Sequence, residues 1–304
     1  MLVHFERYVT NDESVYEHLL YIYKYVSECS KEEIILDFTK TKVFECNLLA
    51  LVYLIVDIAN ERNIPLKLVT NDNKIYYGYA GMYKLFNYHS NRHYRKSFFK
   101  PRCIIGNSNN KEIEDLLTKF LYDLNLKDGS KIQILISELI ANIKMHVLNS
   151  IYCKGFMSSY VSEKEMDLYI TIVNSGKSIK NILKDNSMEF NSDKEAIFWT
   201  LKKTNSTRKD DESGGLGLYL LRKYINELSG DVTICSGNVY MFLAGGGYNF
   251  KDENFIEVER MDTLTTYFDG TIITLRIPYK EIDYLEECDL TDEVEMDLIN
   301  LLEE

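Results

Sequence analysis

The first seventy residues alternate between helical and strand spacing of their apolar side chains. Residues 12–28 and 48–62 have apolar positions three and four apart, which predicts two amphipathic helices. Short apolar runs at 34–38 and 66–69 are typical of buried strands. The strand–helix–strand order predicts a small α/β unit in which the two strands are parallel and joined by a right-handed crossover. A further short helix is predicted at 81–86.

The rest of the chain predicts a second α/β unit. Helical spacing recurs in four segments, at residues 111–126, from 130 onwards, at 196–201 and at 216–228. The helix at 216–228 is expected to end in a left-handed cap at Ser229-Gly230. Strand patterns fall at 167–173, 231–235, 239–243 and 270–278. Because Ser236-Gly237-Asn238 separates the middle two strands, they are predicted to form a hairpin.

Composition and charge narrow the classes of function. The chain has 304 residues, enough for two domains, and 45% of them are apolar, as in a globular protein. The net charge of −12 is concentrated at residues 281–304, which contain eleven carboxylates and neither Lys nor Arg. The remainder is close to neutral, so it offers no broad basic surface for direct binding of nucleic acid. The tail is predicted to be either an amphipathic helix or a solvated acidic end.

Targeting and cysteine patterns point to the cytoplasm. The N-terminus lacks the basic and apolar regions of a signal peptide, and no segment has the apolar length of a membrane helix. Six cysteines lie far apart without a C-x-x-C pair, which argues against a zinc site or a redox pair. A short basic and aromatic stretch at 89–96 is interpreted as a solvated linker, with a nucleic-acid patch as the alternative.

Three polar residues are candidates for chemistry on the helix that begins near residue 130. Glu138, Asn142 and His146 are four positions apart, so they stack on one side of that helix. The Glu138 carboxylate could orient or deprotonate an attacking oxygen, and the Asn142 amide oxygen is a hard ligand suited to Mg²⁺. The alternative is a polar stripe that faces solvent.

A glycine cluster precedes the helix predicted at 216–228. It consists of Gly214, Gly215, Leu216, Gly217 and Leu218. Glycines let the backbone approach a phosphate closely, and a helix that begins there adds the positive end of its dipole. Glycine clusters also form ordinary turns, so the assignment to a nucleotide site requires other motifs of such a site elsewhere in the chain. Gly245-Gly246-Gly247 has no helix behind it and is interpreted as a turn.

Four segments in order resemble the motifs of the GHKL ATPase superfamily, which includes anti-sigma serine kinases, histidine-kinase ATPase domains, gyrase and Hsp90 chaperones. Residues 137–146 resemble its N box, and 174–178 its D-x-G-x-G adenine motif. The glycine cluster at 214–218 and the strand at 270–278, which begins with Gly-Thr, resemble the other two. The sequence departs from the adenine motif twice, with Asn174 at the aspartate position and Ser178 at the second glycine.

The resemblance implies a GHKL (Bergerat) α/β sandwich over residues 101–280, with a mixed sheet covered by helices on one face. It implies that ATP and Mg²⁺ bind, with Glu138 as the catalytic base and Asn142 as the metal ligand. The implied nucleotide contacts are Asn142, His146, Asn174, Gly176, Arg208, Gly214, Gly215, Leu216, Gly217, Leu218 and Thr271. An asparagine at position 174 is expected to weaken adenine binding by about 1 kcal/mol. Residues 177–213 are expected to form a lid over the triphosphate, from which Lys202, Lys203 and Arg208 could reach the phosphates.

The N-terminal unit, residues 1–100, resembles the STAS fold of bacterial anti-anti-sigma factors. The resemblance lies in Leu36-Asp37, Val43-Phe44 and Leu49-Ala50-Leu51. Asn47 occupies the position of that family's phosphorylatable hydroxyl, so an interaction or regulatory role is expected in place of a phosphoacceptor.

Three classes of function follow from these motifs. The first is an ATP- and Mg²⁺-binding signalling protein that hydrolyses ATP or phosphorylates a partner protein on serine or threonine, as an anti-sigma-factor kinase does. The second is a non-catalytic switch gated by ATP, and the third is an interaction module without nucleotide. The expected partner is a regulatory protein of the STAS or sigma-like type, and a homodimer is an open alternative.

Overall fold

A computed structural model describes residues 1–28, 32–69, 98–104, 115, 118–122, 129–147, 155–162, 167–202, 217–245 and 258–278, and the structural features below belong to these residues. They form helices and strands in a mixed order, and the fold is of the α/β class. None of the described helices combines the length and the apolar character that crossing a membrane requires.

The N-terminal unit contains a three-stranded parallel sheet. Its strands and helices, in chain order, are β1 (Leu2–His4), β2 (Tyr8–Val9), α1 (Glu13–Glu28), β3 (Ile34–Asp37), β4 (Val43–Phe44), α2 (Leu49–Glu61) and β5 (Leu66–Val69). The sheet has the order β1-β3-β5, and β2 pairs with β4 in a separate short ladder. The predicted α1, β3, α2 and β5 are confirmed, as is the parallel pairing of β3 with β5. The pattern did not predict β1, β2 or β4.

Local chemistry explains where α1 begins. The Asp12 side chain accepts a hydrogen bond from the Val15 N–H at 3.1 Å, as an N-cap residue does. The helix then buries Tyr16, Leu20 and Val26, which lie on one side of it.

The second unit is built on a five-stranded sheet in the order β6-β7-β8-β10-β9. Its strands are β6 (Phe98–Ile104), β7 (Gly155–Ser162), β8 (Asp167–Ser175), β9 (Asp231–Ala244) and β10 (Arg260–Pro278). Neighbouring strands are antiparallel at every pairing among the described residues. The expectation of a mixed sheet is therefore wrong for these five strands, because no two neighbours run in the same direction.

The predicted hairpin at residues 231–243 is also wrong. Residues 231–244 form one continuous strand, which pairs with β10 on both sides of the predicted turn. Gly237, with φ of 62°, lies inside that strand, where the register between β9 and β10 shifts. A glycine inside a strand commonly marks such an irregularity, so Ser236-Gly237-Asn238 bends the strand and does not reverse it.

Four helices whose bounds are described lie on one face of the sheet. They are α3 (Gly129–Val147), α4 (Ile179–Asp185), α5 (Asp193–Thr200) and α6 (Gly217–Glu227). Their apolar residues join those of the sheet in one core, which we call the first core; it includes Leu139, Ile172, Leu221 and Ile273. The predicted helices from 130, at 196–201 and at 216–228 are present, and within the predicted helix 111–126 residues 115 and 118–122 are helical. The pattern did not predict α4.

The left-handed cap after α6 is present, but Ser229 and not the neighbouring glycine adopts it, with φ of 52°. Serine lacks the conformational freedom of glycine, so this cap carries some backbone strain.

The N-terminal unit packs on the opposite face of the sheet. Its apolar residues form a second core together with sheet residues that include Val173, Cys235, Phe268 and Ile272. Tyr23 of α1 meets Phe268 of β10 edge to face, with ring centroids 5.0 Å apart. The two units therefore share hydrophobic packing across the sheet. The domain boundaries expected at 100 and 280 stay predictions, and the helix at 81–86, the stretch at 89–96 and the tail at 281–304 lie outside the described residues.

Candidate functional site

A row of small polar positions crosses the sheet where β8 ends. Asn174 of β8 is paired with Thr271 of β10, and Thr271 is paired on its other side with Ser236 of β9. Side chains two residues apart on a strand lie on the same face. Because Ile172 and Ile273 belong to the first core, Asn174 and Thr271 lie on the face that carries α3 and α6. The predicted adenine contacts are thus neighbours on one face of the sheet.

Ser236 connects this row to α4. Its hydroxyl donates to the Gly270 carbonyl at 2.8 Å and accepts from the Ile179 N–H at 2.9 Å. The Thr271 hydroxyl lies 3.3 Å from that of Ser236. Asn174 and Thr271 are both buried, with 7% and 8% exposure. Their positions are therefore held by packing and by the paired strands, and a ligand there would meet an ordered surface.

The two glycine positions of the adenine motif, occupied here by Gly176 and Ser178, have different backbone conformations. Gly176 has φ of 130°, which side chains other than glycine's rarely allow, and its N–H donates to the Asp269 carbonyl at 2.8 Å. Ser178 has an extended backbone, with φ of −65° and ψ of 160°, and its hydroxyl caps α4 by accepting from the Asn181 N–H. A glycine is therefore needed at 176 and not at 178.

Glu138 lies on α3, which contacts β8 and α6. Its side chain is half-buried, and its Oε2 atom is fully buried with no hydrogen-bond partner among the described residues. Since α3 continues without a break to Val147, positions 142 and 146 follow Glu138 at one-turn intervals. The side chains of Asn142 and His146 lie outside the described part of the chain.

The glycine cluster is described only at its helical end. Gly217 is the first residue of α6, and Leu218 packs against the first core. This placement agrees with a loop that leads directly into a helix N-terminus. Gly214, Gly215 and Leu216 lie outside the described residues.

The lid expected at residues 177–213 needs correction in its first part. Residues 177–202 form α4 and α5, whose apolar side chains are buried in the first core, among them Ile179, Leu183, Ala196, Ile197 and Leu201. Packing of this kind makes the segment part of the folded core. Lys202, which follows these helices, is exposed. Lys203 and Arg208 belong to the rest of the predicted lid and lie outside the described residues.

Asp193 is a buried carboxylate that the sequence motifs did not single out. It is 7% exposed, and its Oδ1 atom has no hydrogen-bond partner within the described ranges. Burial raises the pKa of Asp193, against the opposing effects of Lys180, of the Ser178 hydroxyl and of the Asn238 N–H. The signal available in the sequence was the Ser192-x-x-Glu195 pattern, in which the Ser192 hydroxyl accepts from the Glu195 N–H and begins α5 at residue 193.

The described residues do not contain a cluster of candidate metal ligands. Among the described residues, no group of three or more His, Cys, Asp or Glu side chains could hold a metal ion. The predicted Mg²⁺ ligand, Asn142, is outside that set.

No protein-family model matches the chain, and no curated protein matches its sequence.

Proposed function

We propose that this chain is an ATP- and Mg²⁺-binding regulatory protein of the GHKL type, which hydrolyses ATP or phosphorylates a partner protein on serine or threonine. The observation that carries the proposal is the buried Oε2 atom of Glu138, which has no hydrogen-bond partner in the described structure. The helix that bears it packs on β8, the strand that contains Asn174.

The unpaired oxygen of Glu138 is costly for the fold. A buried acceptor without a donor costs about 1–3 kcal/mol, and more when it is charged. Buried unsatisfied groups are few in proteins, and a catalytic role is one explanation for such a group. As a general base, this oxygen accepts the proton of an attacking water or of a partner's hydroxyl, so the missing hydrogen bond forms when substrate is present.

The nucleotide is proposed to bind on the α3 and α6 face of the sheet. The Asn174 amide oxygen accepts a hydrogen bond from the adenine amino group, and the Thr271 hydroxyl supports this contact. The triphosphate lies against the glycine cluster at the N-terminus of α6, with Mg²⁺ held by Asn142. His146, Gly176 and Arg208 complete the proposed contacts. The buried row from Asn174 to Ser236 supports this assignment because its polar atoms lie on one face.

The test separates binding from chemistry with Glu138→Gln, which keeps the shape and removes the base. We expect calorimetry to show unchanged ATP–Mg²⁺ affinity and release of γ-phosphate to fall by about 100-fold or more. Glu189→Gln is the matched control, since Glu189 is exposed on the loop between α4 and α5. Equal rates in the two variants would rule out Glu138 as the base, and no heat at millimolar ATP would rule out nucleotide binding.

Asn174→Asp tests the adenine contact. A carboxylate accepts a stronger, charge-assisted hydrogen bond, so the affinity for ATP is expected to rise about fivefold, which corresponds to about 1 kcal/mol. The affinity for GTP should not rise, because GTP lacks the adenine amino group. A parallel rise for both nucleotides would contradict this placement of the base.

The second candidate is a non-catalytic switch that binds ATP and changes its contacts with a regulatory protein. The neutral Asn174 at the adenine position favours it, since weaker binding suits a switch that releases nucleotide readily. Wild-type protein that binds ATP but neither releases γ-phosphate nor labels a partner would support this candidate. The partner is expected to be a STAS or sigma-like protein, encountered in the cytoplasm.

A further inference from the structure

The irregular part of β10 is held by the N-terminal unit. Among the described residues, the pairing of β10 with β8 and β9 skips residues 264–267. In this gap the Glu17 carboxylate of α1 accepts from the N–H groups of Thr265 and Thr266 at 2.8 and 2.9 Å, and also from both of their hydroxyls. Backbone donors need an acceptor when a strand leaves its ladder. Glu17 therefore supplies here what a neighbouring strand supplies elsewhere along β10.

The next residue of β10, Tyr267, connects this segment to the adenine motif. Its hydroxyl lies 2.9 Å from that of Ser178, which occupies the motif's second glycine position, and accepts from Asn181 Nδ2 at 3.3 Å. Two residues further along β10, the Asp269 carbonyl accepts from the Gly176 N–H at 2.8 Å. A side chain and a backbone carbonyl of β10 thus hold both glycine positions of the motif.

The hydroxyl contacts have one consistent direction. The Ser178 hydroxyl donates to the Asp193 carboxylate, so it accepts from Tyr267, because a hydroxyl has a single proton. Asn181 donates to Tyr267 in turn, and the chain of hydrogen bonds ends on a buried carboxylate. Hydrogen bonds in such a chain strengthen one another. Tyr267 is therefore a donor that phenylalanine cannot replace.

These contacts lie next to the two proposed adenine contacts. One residue separates Asn174 from Gly176 on the chain, and one separates Asp269 from Thr271. Asn174 and Thr271 are themselves paired across β8 and β10. The arrangement of β10 at this end of the sheet therefore fixes where the two contacts stand relative to each other.

From these features we infer that Glu17 and Tyr267 are positioning residues through which the docked N-terminal unit sets the affinity for adenine. The inference rests on the proposed nucleotide site and adds its regulation. The apparent affinity of a site falls with the fraction of molecules in which the site is correctly arranged. A regulatory partner that draws α1 away from β10 would therefore weaken ATP binding, and by linkage bound ATP would oppose that partner to the same degree.

The experiment measures by calorimetry the affinity of the full chain for ATP–Mg²⁺ and for inosine triphosphate–Mg²⁺, whose base lacks the amino group of adenine. Tyr267→Phe removes one hydroxyl and should weaken ATP binding about fivefold, the effect of one hydrogen bond. The affinity for inosine triphosphate should change by less than about twofold, because this nucleotide does not use the amino contact to Asn174. Tyr21→Phe is the matched control, since Tyr21 is exposed on α1.

Glu17→Gln tests the part played by the N-terminal unit. It should weaken ATP binding about threefold, with inosine triphosphate and the Glu13→Gln control unchanged. Unchanged ATP affinity in either Tyr267→Phe or Glu17→Gln, or an equal loss for both nucleotides, would overturn this inference alone. Wild-type protein that does not bind ATP would instead refute the proposed function, and the inference with it.

Discussion

Glu17 is predicted to be a main polar link between the N-terminal unit and the sheet. Its Oε1 accepts from the Thr266 N–H at 2.9 Å and from the hydroxyls of Thr265 and Thr266, while Oε2 accepts from the Thr265 N–H at 2.8 Å. Glu17→Gln keeps one acceptor and turns an amide N–H towards the Thr265 N–H. Loss of one hydrogen bond to a charged acceptor should lower the free energy of unfolding by about 2 kcal/mol.

Urea unfolding followed by circular dichroism measures this loss, and the melting temperature should fall by about 3 °C. The matched control is Glu13→Gln, one turn earlier on α1, which removes an exposed ion pair with Arg260 at 3.0 Å. Exposed pairs contribute about 0–1 kcal/mol, so the control should change stability less. If Glu17→Gln cost no more than Glu13→Gln, the reasoning from hydrogen bonds would be refuted.

The effect of Glu17 should also depend on pH. Burial raises the pKa of Glu17, but the hydrogen bonds from Thr265 and Thr266 outweigh burial and hold the pKa below its ordinary value of 4.5. A carboxylate whose pKa is lower in the folded state than in the unfolded state stabilises the protein at pH values above the unfolded-state pKa. This stabilisation is lost as the pH falls through the folded-state pKa. The difference between wild type and Glu17→Gln should therefore shrink in acid, and a constant difference would contradict this origin.

Two further predictions concern the buried carboxylate next to the strand irregularity. Gly237→Ala places a methyl group 2.1 Å from Asp193 Oδ1, at a residue with φ of 62°. This substitution should lower the free energy of unfolding by about 3 kcal/mol. A variant that unfolds in urea at the same midpoint as the wild type would contradict this expectation. Asp193 has a pKa raised above its ordinary 3.8, so its favourable contribution is present below that value and is lost as pH rises through the folded pKa. Asp193→Asn should thus gain stability relative to wild type as pH rises, and a pH-independent difference in urea midpoints would count against this.

The sequence correctly predicted helices and strands that are specified by the spacing of apolar residues within the element itself. Amphipathic spacing sufficed for α1, α2 and α3, and the apolar run at 66–69 matched β5 at both ends. The wrong hairpin came from a local ambiguity, because a glycine between two strand patterns marks either a turn or an irregularity in one strand. Which of the two occurs depends on β10, a strand that lies far along the chain and is long enough to pair with both halves of β9.

The hydrophobic pattern did not predict features that depend on contacts between residues distant in sequence. The spacing on α3 placed Glu138 on its polar side, but the burial of its Oε2 atom depends on neighbours from other elements. The contact between the two units was not predicted, because Asn11 and Thr233, whose side chains are hydrogen-bonded, are distant in sequence and become neighbours only when the N-terminal unit packs on the sheet. Apolar residues on both faces of β8, such as Ile172 and Val173, indicated burial without showing what would cover each face.

The shared second core has a consequence for cutting the chain into pieces. A fragment that begins near residue 98 would carry the whole five-stranded sheet, but Val173, Cys235, Phe268 and Ile272 would lose the cover that α1 and α2 provide. An uncovered apolar sheet face of this kind promotes self-association. We therefore expect such a fragment to aggregate on expression unless the first 69 residues are supplied with it, as a covalent part of the chain or as a separate polypeptide that rebinds.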